Sequence, residues 1–415
     1  MKKISVLGLG YIGLPTACML ANCGFEVLGV DIDEEIINKL NSGKLHIEER
    51  DLEEIFLKVL ADNKLRVSNK VEKSDVYIIA VPTPLNKSNK ADLSYVVSAS
   101  EMIKDFVTKE NLIILESTSP PGTTRNIVGD IISKKNDLIA GEGYYLAYCP
   151  ERVLPGKIIY EIVNNDRVIG GINKKSAEFA REIYSGFVKG NIYLTTLETS
   201  EFVKIAENTY RDVNIAFANE LSEICNDYNI NIWDVIKYAN MHPRVNILNP
   251  GPGVGGHCIS IDPWFILENI KKKNTLIEKC RNINNSRPHV IAERILNIID
   301  GIRNPKVTIF GVAYKENVGD TRESPVLAII EELSRKSVNI AVFDPVVTNY
   351  KSKLSNLSTS LEGSDMLVLF VGHDEFKKIN LGEIAKLMRN RNIFDTRNFY
   401  DSDMVKKAGF NYFRI

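Results

Sequence analysis

The stretch "ISVLGLGYIGLPTACML", residues 4–20, decides the fold of the chain. Residues 4–7 are apolar and predict a buried strand, and Gly8, Gly10 and Gly13 follow it. This spacing is typical of a tight turn that brings bare backbone close to a pyrophosphate and leads into a helix whose first amides face it. The next apolar run, residues 25–33, contains Asp31, 18 residues beyond Gly13, where a carboxylate can bind a ribose diol. The stretch therefore predicts a dinucleotide-binding domain.

The residues after Asp31 indicate which dinucleotide is bound. Asp33, Glu34 and Glu35 follow it without a nearby arginine, so a 2′-phosphate would be repelled. We therefore expect NAD rather than NADP. The N-terminus also resembles a secretory signal, with two lysines before an apolar run, but its glycine pattern argues against that interpretation.

The strand pattern occurs twice in the chain. "DVYIIAVPTP" (75–84) and "NLIILESTSPPGTT" (111–124) predict two more buried strands of a parallel sheet. Four segments from Lys306 onward echo the order of these strands: "KVTIFGVAYK", "VNIAVFDP", "GSDMLVLFVG" and "RNIFDTRNFY". The second copy lacks the glycine fingerprint and offers Lys315 and Arg322 near its first turn instead. Side-chain charge could hold a different phosphate ligand there.

A long helix is predicted between the two copies. Residues 199–228 have apolar positions at helical spacing, with Thr199 or Ser200 as the cap, and a shorter helix follows over 232–240. The long helix could serve for dimerisation or as a buried spine within one chain. The predicted fold is α/β: two Rossmann-like doubly wound parallel-sheet domains joined by a long central helix. We place the boundaries at 1–195 (NAD binding), 196–300 (central helical, with the cysteine loop) and 301–415 (second Rossmann-like domain).

Composition excludes several classes of function. The 415 residues carry a net charge of −1, so no global basic field favours nucleic acid or an anionic membrane as a partner. The six cysteines form no C-x-x-C pair, and the five histidines make no metal-ligand spacing with them, so we expect no metal. Reduced thiols fit the cytoplasm. No apolar run of about 18 residues indicates a membrane span.

The stretch "NPGPGVGGHCISIDPWF", residues 249–265, surrounds Cys258 with bare backbone. The cysteine could be a small buried residue of a tight loop, or a nucleophile. Lys204 and Asn208 are i and i+4 on the long helix, where a solvated lysine is the simpler explanation. Asp262 reads structurally as an N-cap before Pro263.

Two further stretches also have structural alternatives. Glu151 and Arg152, in "AYCPERVLPG", could form a surface ion pair. Thr118, in "STSPPGTT", could cap the following helix.

One reaction would need all of these residues: the oxidation of a primary alcohol to a carboxylic acid. The aldehyde formed first cannot lose a second hydride until a nucleophile adds to its carbonyl. A thiol gives a thiohemiacetal, then a thioester, and water releases the acid. Lys204, Asn208 and Asp262 suit the proton acceptor, the oxyanion donor and the handling of water. The glycines would let backbone approach the substrate.

The chain resembles the UDP-glucose/GDP-mannose dehydrogenase family nearly from end to end. The resemblance rests on "GLGYIGLP", "VPTP", "STSPPGTT", "CPERVLPG", "EFVKIAENTYRDVNIAFANE", "GGHCISIDP", "GVAYKENVGDTRES" and "DTRNFY". It implies Cys258 as nucleophile, Lys204 as acid/base beside Asn208, Asp262 in the handling of water and protons, and Thr118 and Glu151 near the reacting carbon. It also implies a homodimer made by the central helix, with higher homo-oligomers possible, and Arg244 reaching the substrate of the other subunit.

The expected substrate is a UDP-amino sugar. "HPRVNILNPGPGVGGHC" and "CPERVLPG" resemble the branch that acts on UDP-N-acetylmannosamine, with UDP-N-acetylglucosamine or UDP-glucose as alternatives. Other classes also remain: a two-electron dehydrogenase would need a base but no nucleophile, and a non-catalytic NAD sensor would need no thiol.

The binding residues are expected as follows. For NAD they are Gly8, Gly10, Tyr11, Ile12, Gly13, Asp31, Thr83, Thr118 and Arg322. For the substrate they are Glu151, Arg152, Val153, Lys204, Asn208, Arg211, His242, Arg244, Gly255, Tyr314, Lys315 and Arg397. His257 is expected to be a packing or loop residue.

Overall fold

The first sheet is built around the strand that precedes the glycine turn. The computed structural model describes residues 2–154, 156–256, 258–272, 274–350 and 352–415. The sheet contains eight strands: Lys3–Leu7 (β1), Glu26–Val30 (β2), Leu65–Ser68 (β3), Val76–Ile79 (β4), Leu112–Leu115 (β5), Tyr145–Tyr148 (β6), Arg167–Gly171 (β7) and Ile192–Thr196 (β8). Their order is β3-β2-β1-β4-β5-β6-β7-β8, and every pair is parallel except β6 with β7.

Helices connect these strands: Gly13–Asn22 (α1), Glu34–Asn41 (α2), Leu52–Ala61 (α3), Ser94–Ile103 (α4), Asp130–Asn136 (α5), Ile158–Asn164 (α6) and Lys174–Tyr184 (α7). A π-helical turn, Thr124–Gly129, precedes α5. Strand order reverses between β1 and β4, and in open α/β sheets the ligand crevice lies outside the carboxyl ends of the strands at this point. The glycine turn after β1 therefore stands where a ligand is expected.

The central strands of the first sheet are buried on both faces. Along β4, Tyr77 and Ile79 pack into one apolar cluster, and Ile78 packs into another. Side chains alternate between faces along a strand, so the continuous apolar run is what two covered faces require.

The helical region follows β8 without a break. Its helices are Leu197–Asp227 (α8), Ile232–Ala239 (α9), Asp262–Leu267 (α10) and Leu276–Ile298 (α11). The predicted cap of α8 is wrong, because the helix begins before Thr199. The Thr199 amide donates to Thr196 Oγ1 at 3.3 Å, and the Ser200 hydroxyl donates to the Val168 carbonyl at 2.9 Å. The strand thus runs directly into the helix.

The second sheet has five parallel strands: Lys306–Phe310 (β9), Asn339–Phe343 (β10), Met366–Leu369 (β11), Asn392–Asp395 (β12) and Asn411–Arg414 (β13). Its order is β10-β9-β11-β12-β13. The helices are Pro325–Arg335 (α12), Leu357–Leu361 (α13), Leu381–Leu387 (α14) and Ser402–Lys407 (α15), with a 3₁₀ turn at Asp374–Lys378. The predicted fold, two Rossmann-like sheets joined by a long central helix, is confirmed.

The chain divides into two compact units. The first unit comprises residues up to 207 together with Trp264–Ile270, and the second comprises Asn208–Pro263 with Lys271–Ile415. The boundaries at 195/196 and 300/301 stay a prediction. Within the described residues, no helix combines the length and the apolar character needed to cross a bilayer.

Candidate active site

In the first unit, the three glycines after β1 have different surroundings. A Cβ on Gly8, whose φ is +89°, would stand 2.5 Å from the Ala80 carbonyl oxygen, and one on Gly13 would stand 1.8 Å from the Gly8 oxygen. A Cβ on Gly10 would meet nothing within 4 Å. Packing therefore requires Gly8 and Gly13, whereas Gly10 leaves open space. That arrangement fits a turn that a pyrophosphate approaches.

Asp31 stands next to this turn, as the sequence predicts. Its Oδ2 accepts the Leu9 amide at 2.8 Å and its Oδ1 accepts the Asp33 amide at 3.0 Å. Each carboxylate oxygen keeps a lone pair for a ribose hydroxyl, because an ionised carboxylate offers about four acceptor sites. Tyr11 is 38% exposed, and Ile12 is the N-cap residue of α1.

The segments after β4 and β5 meet within the first unit. The Thr83 hydroxyl donates to the Thr118 carbonyl at 2.6 Å, and the Ser117 hydroxyl donates to the Val81 carbonyl at 2.7 Å. Two residues expected at the cofactor are thus held together by hydrogen bonds.

Glu151 is not part of a surface ion pair. Its carboxylate accepts from Arg167 Nη2 at 2.7 Å, and both side chains are buried. Its sequence neighbour Arg152 instead donates to Glu207 Oε1 at 2.5 Å. The alternative of a surface ion pair between Glu151 and Arg152 is therefore wrong, because Arg167 of β7 pairs with Glu151 in the interior. The segment continues through Val153, which is partly buried against the core.

The Glu151–Arg167 pair belongs to a larger buried cluster. Tyr184 donates its hydroxyl to Glu116 Oε1 at 2.6 Å, and Arg167 Nη1 lies 3.6 Å from the Cys149 sulfur. Burial raises the pKa of Glu116 to about 7, with a further contribution from the negative charge of Glu151. The first unit therefore contains a buried carboxyl that titrates near neutral pH.

In the second unit, the predicted catalytic residues Asn208 and Asp262 are in contact. Asn208 Nδ2 donates to Asp262 Oδ2 at 2.6 Å, and Asp262 is 2% exposed at the first position of α10. The Asp262 amide donates to the Cys258 carbonyl at 2.9 Å. Lys204 precedes Asn208 by one turn of α8, and both are half-buried. The helix thus presents a lysine and an amide along one face.

The Cys258 thiol is exposed and reduced, so the alternative of a buried packing cysteine is wrong. The glycines before it pack closely against protein. A Cβ on Gly255 would stand 2.6 Å from the Glu323 carbonyl oxygen, and one on Gly256, with φ +85°, would stand 3.2 Å from the Tyr314 ring. The bare backbone therefore lets this loop pack on the segment after β9. His257 lies outside the described residues.

The other residues expected at the substrate have varied environments. Arg397 donates from Nε to the Phe370 carbonyl at 2.8 Å, and Lys315 is half-buried. His242 Nδ1 accepts the Arg244 amide at 3.3 Å, and both side chains are exposed, as is Arg211. Arg322, expected at the cofactor, pairs with Asp320 at 2.7 Å.

Among the described residues, one group of side chains has metal-ligand spacing. His289, Glu293 and Glu332 have ligating atoms within 4.8 Å of one another, and His289 Nδ1 lies 2.7 Å from Glu332 Oε1. The group lies on α11 and α12 at the surface, where the His289–Glu332 hydrogen bond accounts for it.

Family models match the chain almost throughout. Residues 2–188 match the NAD binding domain of the UDP-glucose/GDP-mannose dehydrogenase family, 198–286 its central domain and 308–402 its UDP binding domain. The chain belongs to this family. Its cofactor is NAD, consistent with the open turn at Gly10 and the carboxylate of Asp31.

Relatives from several organisms cover the whole chain. A UDP-N-acetyl-D-mannosamine dehydrogenase of Methanococcus vannielii is 50% identical over 99% of this chain and 96% of its own length. An NDP-N-acetyl-D-galactosaminuronic acid dehydrogenase of Ralstonia nicotianae is 39% identical over 97% of each chain. The structure of a UDP-D-ManNAc dehydrogenase from Pyrococcus horikoshii superposes with a TM-score of 0.93 at 41% identity, covering 100% of this chain and 99% of its own.

The sequence analysis did not identify several residues that hold or surround the segment at Glu151. Glu49 accepts the Gly156 amide at 2.8 Å and the Ile158 amide at 2.9 Å, so it holds the segment that follows Glu151. Arg167 and Glu116 each left a signal, since each is a charged residue at a buried strand. Charged residues are almost never buried unless paired, so both could have been flagged.

Proposed function

We propose that this chain oxidises UDP-N-acetyl-D-mannosamine to UDP-N-acetyl-D-mannosaminuronate, with two NAD consumed per sugar. The observation that carries the proposal is the set of relatives from Methanococcus with that activity in their names, at 48–50% identity over 99% of this chain. The exposed thiol of Cys258, close in sequence to a contacting Asp262–Asn208 pair, supports it.

The chain's own residues account for the chemistry between the two oxidations. NAD, when bound near Gly10 and Asp31, supplies the hydride acceptor. The Cys258 thiolate adds to the C6 aldehyde, and the resulting thiohemiacetal keeps the aldehyde on the protein. A second oxidation leaves a thioester, which water cleaves to the acid and the free thiol. No free aldehyde is released.

The proton and charge movements fall to residues on α8 and α10. Lys204 acts as the acid/base at the C6 oxygen, and Asn208 donates to the developing oxyanion. Asp262 orients Asn208 through the 2.6 Å hydrogen bond and handles the hydrolytic water. Glu151 and Thr118, both in the first unit, are the remaining catalytic and cofactor-binding residues of this proposal.

The second Rossmann-like domain supplies cations for the diphosphate. Lys315, Arg322 and Arg397 come from this domain, and the whole chain has a net charge of only −1, so compensation of two phosphates must be local. Arg322 pairs with Asp320, so Lys315 and Arg397 are the stronger candidates for the diphosphate. Tyr314 and Gly255 complete the expected contacts.

We propose that the chain works as a homodimer, with higher homo-oligomers built from it. In the second unit, α8 exposes an apolar stripe at helical spacing, consisting of Tyr210, Phe217 and Ile224, which are 64, 48 and 46% exposed. A stripe at seven-residue intervals suits packing against a second helix, and a second copy of the chain supplies one. Since none of the six cysteines forms a disulfide, the proposed location is the cytoplasm.

Arg244 is proposed to reach the substrate of the other subunit. Its exposed position after α9, with a backbone tie to His242, leaves the guanidinium available to a partner. Arg244→Ala and Cys258→Ala should each inactivate the enzyme. When the two variants are unfolded, mixed and refolded, one site of each hybrid dimer combines an intact Cys258 with an intact Arg244, and NADH formation should return. Hybrid dimers that stay inactive would contradict action across the interface.

The decisive experiment counts NADH formed per UDP-sugar consumed. UDP-N-acetylmannosamine, UDP-N-acetylglucosamine and UDP-glucose are compared, and the first should give two NADH per sugar at the highest kcat/KM. Cys258→Ala should lose about 10⁴-fold in acid formation, by analogy with other covalent catalysts. A ratio of one would indicate a two-electron enzyme, and NAD binding without turnover of any sugar would indicate a sensor.

A further inference from the structure

A buried polar ladder joins α8 to α11 in the second unit. Arg281 pairs with Asp212, and Asn284 donates to Asp212 Oδ1 at 2.8 Å. The next rung is the donation from Asn219 Nδ2 to Asn284 Oδ1 at 3.0 Å. All four residues are at most 2% exposed.

The last rung is formed by Arg287. It pairs with Glu223 and donates from Nη2 to the Ser222 hydroxyl at 2.7 Å. Its side chain is 2% exposed. The two helices are therefore connected along this face by hydrogen-bonded polar groups rather than by apolar packing alone, although Asp212 Oδ2 and Arg281 Nε are buried without a hydrogen-bond partner.

The ladder ends on the backbone of Gly251, seven residues before Cys258. The Gly251 amide donates to Asn219 Oδ1 at 2.9 Å, and the Gly251 carbonyl accepts from Arg287 Nε at 2.9 Å. Both polar backbone groups of one loop residue are thus held by side chains of two different helices. Releasing either group while it stays buried would cost the desolvation of an unpaired polar atom.

Gly251 is also enclosed on the side of its missing Cβ. A Cβ there would stand 2.8 Å from Arg397 Nη1. The remaining glycines of the loop are packed in the same way: a Cβ on Gly253, with φ +140°, would stand 2.9 Å from Pro325 Cβ. The loop is therefore docked on its own unit before it reaches the thiol.

We propose that Asn219 and Arg287 are positioning residues for the nucleophile, because they hold Gly251 and so set where the Cys258 loop begins. The proposal rests on the proposed function of Cys258. Neither residue touches the thiol. Their effect on catalysis comes from placement, and a reacting group misplaced by about 1 Å can lose on the order of 10²-fold in rate. Polar side chains are needed at this helix interface, because apolar side chains could not hydrogen-bond both the amide and the carbonyl of Gly251.

The test compares two arginines of the same ladder. Arg287→Lys keeps the charge beside Glu223, but its single nitrogen cannot take the positions of the three guanidinium nitrogens that contact Gly251, Glu223 and Ser222. Arg281→Lys alters the equally buried rung that does not touch the loop. Amide hydrogen exchange of the 249–256 segment in the full-length protein should accelerate about 10-fold or more in Arg287→Lys and stay at the wild-type rate in Arg281→Lys. The kcat should fall about 10- to 100-fold in Arg287→Lys alone, with KM for NAD unchanged.

Each outcome decides the proposal. Wild-type exchange and kcat in Arg287→Lys would overturn it, and so would equal effects in Arg281→Lys, which would mean that the ladder acts through general stability. If Arg287→Lys does not fold, Asn219→Ser replaces it, because the shorter side chain releases the Gly251 amide. The exchange comparison needs no substrate, so it tests the anchoring of the loop at Gly251 even if no UDP-sugar is oxidised, and the kcat comparison then tests the catalytic part separately.

Discussion

The turn after β1 in the first unit can be compared with the turn after β9 in the second. Both open with a glycine of positive φ, Gly8 at +89° and Gly311 at +84°. In the first unit α1 starts at Gly13, five residues after Gly8, whereas in the second unit α12 starts only at Pro325, 14 residues after Gly311. In a short turn the first amides of the helix lie close to the end of the strand, where they can bind a phosphate. In the second unit a longer segment separates the strand end from the helix.

The acids that follow β2 and β10, Asp31 and Asp344, differ in the number of hydrogen bonds they accept from their own chain. Asp31 accepts two backbone amides, from Leu9 and Asp33. Asp344 accepts four, from Val312, Ala313, Val346 and Val347, and lies 3.2 Å from His373 Nε2 in a fully buried pair. The Asp344 carboxylate uses its acceptor sites for hydrogen bonds within its own domain, whereas the Asp31 carboxylate keeps acceptor sites for a ligand.

A second pair of acids lies at the next strand ends, with Glu116 directly after β5 and Asp395 at the end of β12. Glu116 has Tyr184 as its hydrogen-bonded partner, and one of its oxygens is buried without a bond. Asp395 accepts the amides of Arg397, Phe399 and Tyr400 and the Tyr412 hydroxyl. The same topology therefore leaves the acids of the first sheet with fewer hydrogen bonds from their own chain than the acids of the second sheet. Site chemistry follows from how the strand ends are satisfied, not from the sheet.

The largest expected effect is the loss of stability when the Asp344 carboxylate is removed. Asp344→Ala should lower the free energy of unfolding by about 3 kcal/mol, because four amides and His373 lose a buried acceptor. Urea denaturation at pH 7 measures this. Asp31→Ala, with two amides in a half-buried site, is the matched control and should lose about 1 kcal/mol. Equal losses of unfolding free energy in the two variants would mean that Asp31 and Asp344 stabilise the fold equally.

A pH dependence sharpens the contrast at Glu116. Its pKa is about 7 in the folded chain against 4.5 as its ordinary value. The folded chain therefore binds a proton that the unfolded chain releases, so this group's stabilisation is full below about pH 4.5 and is lost as pH rises to about 7. The loss amounts to at most about 3 kcal/mol.

Glu116→Gln carries no such titration. Its free energy of unfolding, relative to the wild type, should rise between pH 5 and pH 7.5 in urea denaturation. A constant difference over this range would contradict a shifted Glu116. Asp395→Asn is the control from the second sheet and should destabilise the protein at both pH values.

The smallest effect concerns cofactor choice. Asp31→Ala should raise KM for NAD about 10-fold and narrow the preference over NADP, because the variant loses both the ribose contacts and the repulsion of a 2′-phosphate. Steady-state kinetics with both cofactors measure it. Asp344→Asn should leave the ratio unchanged. If the wild type used NAD and NADP equally, Asp31 would have no role in selection.

Predictions made from local patterns were the more successful ones. The glycine spacing predicted the turn between β1 and α1, and the apolar runs predicted β2, β4 and β5 within a few residues. The strands β3, β7, β8 and β13 were not predicted. β3 and β8 carry half-exposed residues, and β7 contains Arg167, so their apolar signal is weak. The cap of α8 was misplaced because β8 runs directly into it.

The sequence by itself determined the fold class and the NAD turn, and it predicted a chemical role for Cys258 and the loop around it. These depend on neighbours within a few residues, where glycine spacing and hydrophobic period act directly. Only the tertiary structure decided the partners of the buried charges. Glu151 took Arg167 rather than Arg152, and Gly251 was fixed by Asn219 and Arg287, 32 and 36 residues away. A buried polar group must find a partner, but sequence distance does not say which one, because packing brings the candidates together.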